Sequence, residues 1–299
     1  MTRGLRPHGF ERLLLLFIAA ATVSAAEPRT SLISLPGGEE LQALRTAFPE
    51  RVGAVAIRHG EWALEIDGIW YYWAEGRILP EENRLQWEQF VPIRFYNYRL
   101  GRWEQPFIPP ELEARLQERT ATRNNDDRIR FNSFLDNLYG VSSRAEADRL
   151  MERVSFFGMS THVHPLVVEP LQRVETRIRE TMMVNEEVRR FIADLASVHG
   201  YNWRVIAGTR RRSYHAYGMA VDLVPRSYRN RWAYWRWAAD SGVTTWWRLG
   251  GDERWGIPQT VIDAFEAEGF VWGGKWLFFD NVHFEYRPEV ILIARSTSE

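Results

Sequence analysis

From Val52 onward, "VGAVAIRHGEWALEIDGIWYYWAEG" alternates β-branched or aromatic residues with polar ones, around turn signals at "RHGE" and "IDGI". That period of two predicts short antiparallel strands. After them the pattern lengthens. "WAEGRILPEENR" and "QPFIPPELEARL" are proline-punctuated connections, and the second predicts a helix starting after Pro110. "SRAEADRLMERV" opens on Ser143 with Glu146 three residues on, the signature of a capping box. "PLVVEPLQRVETRIRETM" predicts a helix from Pro165 with a break or kink at Pro170. "NEEVRRFIADLASVHG" predicts another, capped by Asn185, with Val188, Phe191, Ile192 and Leu195 on one face and Gly200 closing it. "WRVIA", "AVDLV" and "DNVHFEY" predict strands, and "PQTVIDAFEAEGF" a helix from Pro258 to Gly269. "RNNDDR", residues 123–128, predicts a linker.

The first residues follow a different logic. Arg3, Arg6 and Arg12 precede the short apolar run "LLLLFIAAATV", and Val23, Ala25 and Ala26 offer small side chains to a signal peptidase. This three-part build predicts a secretory signal over residues 1–26, cut near Ala25 or Ala26, and the run is too short to span a bilayer. Export to a periplasmic or extracellular space is therefore expected. Loss of Arg3, Arg6, Glu11 and Arg12 takes the net charge from −1 to −3, which offers no footprint for nucleic acid or an anionic membrane. No later apolar stretch is long enough for a stable membrane span. The expected order is a strand-containing accessory region over 27–125, connecting helices over 126–159 and a second domain over 160–299.

Cysteine is absent, which excludes a thiol nucleophile and thiolate metal ligands. A metal site would have to use histidine and carboxylate, a donor set suited to catalytic zinc. Of the seven histidines, His8 lies in the signal, His59 in a turn and His199 at a helix end, while His162 and His164 fit a helix-entry loop better than a ligand pair. His215 and Asp222, seven residues apart in "SYHAYGMAVDLVP", are compatible with a structural pair as well as with ligation. His283 in "DNVHFEY" supplies a third candidate. Two histidines and a carboxylate would leave a fourth zinc position open, and Asp280, three residues before His283, could act as general base.

Ser213, His215, Gly218, Ala220 and Asp222 form S-x-H-x-x-G-x-A-x-D, and "GFVWGGKWLFFDNVHFEY" closes with D-x-x-H. In these motifs and their order the chain resembles the zinc D-alanyl-D-alanine carboxypeptidases and L-alanyl-D-glutamate endopeptidases, the peptidoglycan metallopeptidases of the LAS group. The resemblance runs over roughly residues 160–292. It implies an α+β fold with an antiparallel sheet carrying the ligands and helices packed on it. It also implies Zn2+ held by His215, Asp222 and His283, Asp280 as catalytic carboxylate, and Ser213 and Glu285 as supporting residues. The substrate implied is peptidoglycan or a muropeptide. An upstream arginine steadies the substrate carbonyl in the family, a role that fits Arg210. The segment before "SYH" is shorter here, which keeps Arg211 and Arg212 open for it. The family uses Glu or Asp where Asp280 stands, the latter commonly in its endopeptidase branch. A zinc-containing wall-binding module without catalysis is the alternative, against which an intact Asp280 argues.

Trp232, Trp235, Trp237, Trp246, Trp247 and Trp255 crowd the segment between the motifs. Their aromatic surface suits either a cleft wall or the packing of an insertion, and burial is the commoner fate of such rings.

Overall fold

The strands expected after Val52 form a four-stranded antiparallel meander, as seen in a computed structural model that describes residues 35–297 apart from 94, 96 and 123–127. The predicted signal segment and most of the predicted linker lie outside the described residues. Helix α1 (Gly38–Ala47) precedes β1 (Val55–Arg58), β2 (Glu61–Ile66), β3 (Ile69–Ala74) and β4 (Arg77–Pro80). Each hairpin turn combines a positive-φ residue with glycine: His59–Gly60, Asp67–Gly68 and Glu75–Gly76. Two consecutive positive-φ positions match the twist of the flanking strands. A 3-10 segment, Glu81–Gln89, follows the meander.

Next come α2 (Pro110–Thr122), α3 (Ser133–Tyr139) and α4 (Arg144–Leu150). The capping box forms as expected, with Ser143 Oγ accepting from Glu146 N and the Glu146 carboxylate accepting from Ser143 N. The helix nevertheless stops at Leu150. Met151 turns extended, and β5 (Glu152–Phe156) pairs with β6 (Met159–Val163) across a tight Phe157–Gly158 turn. Helix α5 (Pro165–Met182) runs unbroken through Pro170, which is buried, so the expected break is absent. Asn185 caps α6 (Glu186–Ala193), but that helix ends well short of Gly200. Leu195–His199 is instead strand β7, whose Val198 is buried as it pairs with β8 (Ala220–Pro225). Pairing along a neighbouring strand outweighs the local helical spacing there. "WRVIA" forms no strand, only a bridge between Val205 and Arg212 at the base of a turn.

Helices α7 (Trp235–Asp240) and α8 (Gln259–Ala267) lead to β9 (Phe270–Trp272), β10 (His283–Tyr286) and α9 (Pro288–Ser296). The second four-stranded sheet is antiparallel in the order β7-β8-β10-β9, with α5 and α8 packed against each other nearby. The architecture is α+β. One hydrophobic core runs from Leu41 of α1 and Tyr71 of the meander through Val174 of α5 to Val221 and Phe284 of the second sheet. α1 packs on α9, and Tyr98 donates to Glu266 of α8 at 2.6 Å while accepting from Trp272 N at 2.9 Å.

Most of the tryptophan-rich segment is core. Trp246 and Trp247 are 1 % and 0 % exposed, and they share a cluster with Leu116 of α2. Their indole N–H groups donate to Thr120 and Glu113 of the same helix. Trp247→Ala is therefore expected to cost about 3–5 kcal/mol. In a chain of this size that lowers the melting temperature by about 10 °C. Melting within about 2 °C of wild type would contradict the packing described here.

Candidate metal centre

Local rules place His215. Ser213 Oγ accepts from His215 N at 3.3 Å and opens a 3-10 turn, Tyr214–Tyr217, that Gly218 closes at φ 66°. A Cβ on Gly218 would meet Met151 Sδ and stand 2.6 Å from His164 N, so both the backbone angle and the space require glycine. The chain then enters β8, where Asp222 lies opposite His283 of β10. Opposed residues of an antiparallel pair share one face of the sheet, and so the two motifs meet. Gly273 serves the second motif. Its carbonyl accepts from Asp280 N at 3.0 Å, and a Cβ there would stand 2.6 Å from Asp280 O.

Three atoms converge. His215 Nε2 is 3.1 Å from Asp222 Oδ1 and 3.1 Å from His283 Nδ1, and His283 Nδ1 is 2.8 Å from Asp222 Oδ1. The outer ring nitrogens fix what these atoms are. His215 Nδ1 lies 2.6 Å from the carbonyl of Gly200, which can only accept, and His283 Nε2 lies 3.2 Å from Glu285 Oε1. Each outer nitrogen therefore carries a proton. In neutral imidazoles, two lone pairs and a carboxylate oxygen then face one another without a hydrogen between them. A cation among them, a metal ion or a proton, resolves that contact. Ligands about 2.1 Å from a tetrahedral zinc stand about 3.4 Å apart, close to the spacing here, and the Gly200 and Glu285 partners are of the kind that orient ligating histidines. His215, Asp222 and His283 thus form a group that could hold a metal ion, and their donor set fits zinc.

A proton on His283 satisfies the same cluster in the ion's place. Burial raises the Asp222 carboxyl, yet His215 and His283 hold it well below the ordinary carboxylate range. Burial opposes charge on His283 too, and hydrogen bonds to Asp222 and Glu285 overcome it, raising its pKa. Asp280 behaves differently. Burial, and then the charge of Asp222, push it up to about 6 despite the two histidines, and its Oδ1 is buried without a hydrogen-bond partner. A carboxylate with one buried, unpartnered oxygen and a raised pKa is suited to proton transfer.

Residues 207–286 match the family model described as D-alanyl-D-alanine carboxypeptidase. The match spans both motifs, so the part of the chain that bears this site is similar to a peptidase family. Residues 40–95, which include the meander, match a model described only as a domain of unknown function. Neither the curated proteins nor the solved structures contain a match to the chain.

Other expected residues are placed as follows. Glu285 accepts from the imidazole of His283, while Ser213 supports His215 through the backbone. Arg212 is committed elsewhere: it pairs with Asp136 of α3, contacts Tyr217 Oη at 3.1 Å and lies over the Trp203 ring. Arg210 is exposed in the turn closed by the Val205–Arg212 bridge, and no hydrogen bond joins it to the three-residue group. His164 is a buried helix cap, with Nε2 2.8 Å from Tyr139 O and Nδ1 accepting from Leu166 N, whereas His162 is exposed on β6. His199 ends β7 rather than a helix. Sequence spacing missed Tyr228 and Tyr234. Both lie near enough for the charge of Asp280 to raise their pKa after burial, and only tertiary pairing brings them there.

Proposed function

We propose that this chain is an exported zinc-dependent peptidase, periplasmic or extracellular, that hydrolyses an amide bond in peptidoglycan stem peptides. The observation that carries it is the convergence of His215 Nε2, Asp222 Oδ1 and His283 Nδ1 near the carboxylate of Asp280, whose Oδ1 is buried without a hydrogen-bond partner. Those three residues would hold the ion. Bound there, zinc supplies Lewis-acid polarisation of the scissile carbonyl and makes water a better nucleophile. The remaining work belongs to side chains of this protein. Asp280 takes a proton from the attacking water and hands it to the leaving amine, which a carboxylate with a pKa near 6 does efficiently at neutral pH. Glu285 keeps the proton of His283 on Nε2, and Gly200 O keeps that of His215 on Nδ1. With Arg212 tied to Asp136, exposed Arg210 and its neighbour Arg211 remain the candidates to contact the substrate carbonyl.

A wall-binding module would have no use for a carboxylate oxygen buried without a partner beside the ligand group, which costs stability. The decisive experiment is digestion of purified muropeptides followed by mass analysis. Release of D-alanine marks carboxypeptidase action, and loss of L-alanine from its D-glutamyl partner marks endopeptidase action. Cleavage is expected to stop in a zinc chelator and to return with added Zn2+. Full cleavage in chelator would overturn the metal-dependent reading.

A further inference from the structure

Among the six tryptophans between the motifs, Trp246, Trp247 and Trp255 are buried, and Trp232 and Trp235 are partly buried. Trp237 is 44 % exposed. A single exposed aromatic needs no explanation by itself. Its placement does. Asn281 N donates to Ala233 O at 2.7 Å and Trp235 N to Phe279 O at 3.0 Å, which sets Tyr234 opposite Asp280 in an antiparallel bridge. Opposed side chains emerge on the same face, so the Tyr234 ring stands beside the Asp280 carboxylate. Trp237 meets the Tyr234 ring at 6.0 Å and 88°, and the Tyr228 ring at 5.2 Å and 73°. Tyr228 in turn sits edge-on to buried Trp255 at 5.7 Å. The indole is thereby gripped by two rings, one of them anchored to the core, yet it remains open to solvent.

We infer that Trp237, held by Tyr228 and Tyr234 beside Asp280, is a stacking platform for a sugar ring of the glycan strand and sets the preference for sugar-bearing over bare peptide substrates. The inference rests on the peptidase reading above. A fixed flat ring binds at little entropic cost, since its orientation is set before the ligand arrives. The charges nearby choose the ligand. Arg236 and Arg204 stand close enough to Tyr234 to pull its pKa down against burial and Asp280. Arg204 forms no ion pair with a described residue. Two cations beside the platform disfavour an ammonium group over the indole, and they complement the carboxylates of a stem peptide. What remains for the indole face is an uncharged ring with an apolar C–H surface, which a pyranose presents. The substrate would then lie with its peptide along the arginines and its sugar on Trp237. The aromatic trio makes Trp237 a positioning residue for substrate, with no part in proton transfer.

The test compares a stem peptide carrying its N-acetylated disaccharide with the same peptide lacking it. Trp237→Ala is expected to raise KM for the sugar-bearing substrate about 10-fold, with kcat and the bare-peptide kinetics unchanged. Trp237→Phe should recover most of the loss, and Trp237→Leu, which keeps bulk without a flat ring, should not. Equal losses on both substrates, or none on either, would overturn the platform. Should the wild type cleave neither substrate, the peptidase reading fails and the platform is still read by titrating the free disaccharide and following binding by NMR. Binding that vanishes in Trp237→Leu supports it. Identical titrations of wild type and variant overturn it.

Discussion

His215→Ala, Asp222→Ala and His283→Ala should each yield a folded protein with little bound zinc and no measurable hydrolysis. Each substitution removes one of three atoms that lie within 4.8 Å of one another, leaving two donors where a structural or catalytic zinc site uses at least three. Affinity built from cooperating ligands falls by orders of magnitude when one is lost. His283 is the most informative of the three. It stands between Asp222 and Glu285, so its removal also leaves two partly buried carboxylates without their shared partner. Metal content by mass spectrometry, read beside thermal melting with and without chelator, separates ligand loss from unfolding. Full zinc occupancy in all three variants would remove the assignment.

Asp280→Asn isolates chemistry from assembly. The amide has the shape of the carboxylate but cannot accept a proton, and Asp280 makes none of the close contacts that join the other three residues. The variant is expected to keep its zinc and its substrate affinity. Turnover should drop by about 10²–10⁴, the range for removal of a positioned general base. Near-normal turnover would move the base elsewhere. Glu285 would be a poor replacement, because its oxygens already face His283 Nε2 and the buried guanidinium of Arg287.

The site was legible because its parts are local. Ser213, Gly218 and Gly273 shape short turns whose residue requirements can be read from the chain, and a strand period of two puts Asp222 and His283 on the sheet face they share. The fold was less so where two local rules compete. "ADLASVH" carries helical apolar spacing, yet β8 offers Leu195 and Val198 backbone partners and burial, and so α6 ends at Ala193. The capping box after Ser143 marks where α4 starts and says nothing of where it stops. That is decided by the Phe157–Gly158 turn, which folds the following residues into a hairpin. Tyr228, Tyr234 and Trp237 carry no spacing signal toward Asp280. Only the pairing of Ala233–Trp235 with Phe279–Asn281 makes them its neighbours.

The packing of Trp246 and Trp247 against α2 separates two boundaries that are easily taken for one. The stretch that matches the peptidase family begins at residue 207, but α2, which lies far upstream, supplies the apolar surface and the acceptors those indoles require. Tyr98 likewise reaches from the first half into the space between α8 and β9. A span inherited as a recognisable unit is thus not the span that folds as one. In this chain the matched segment packs against its upstream companion. A substitution in α2 can therefore disturb the insertion from outside the matched span, by releasing the wall on which it rests.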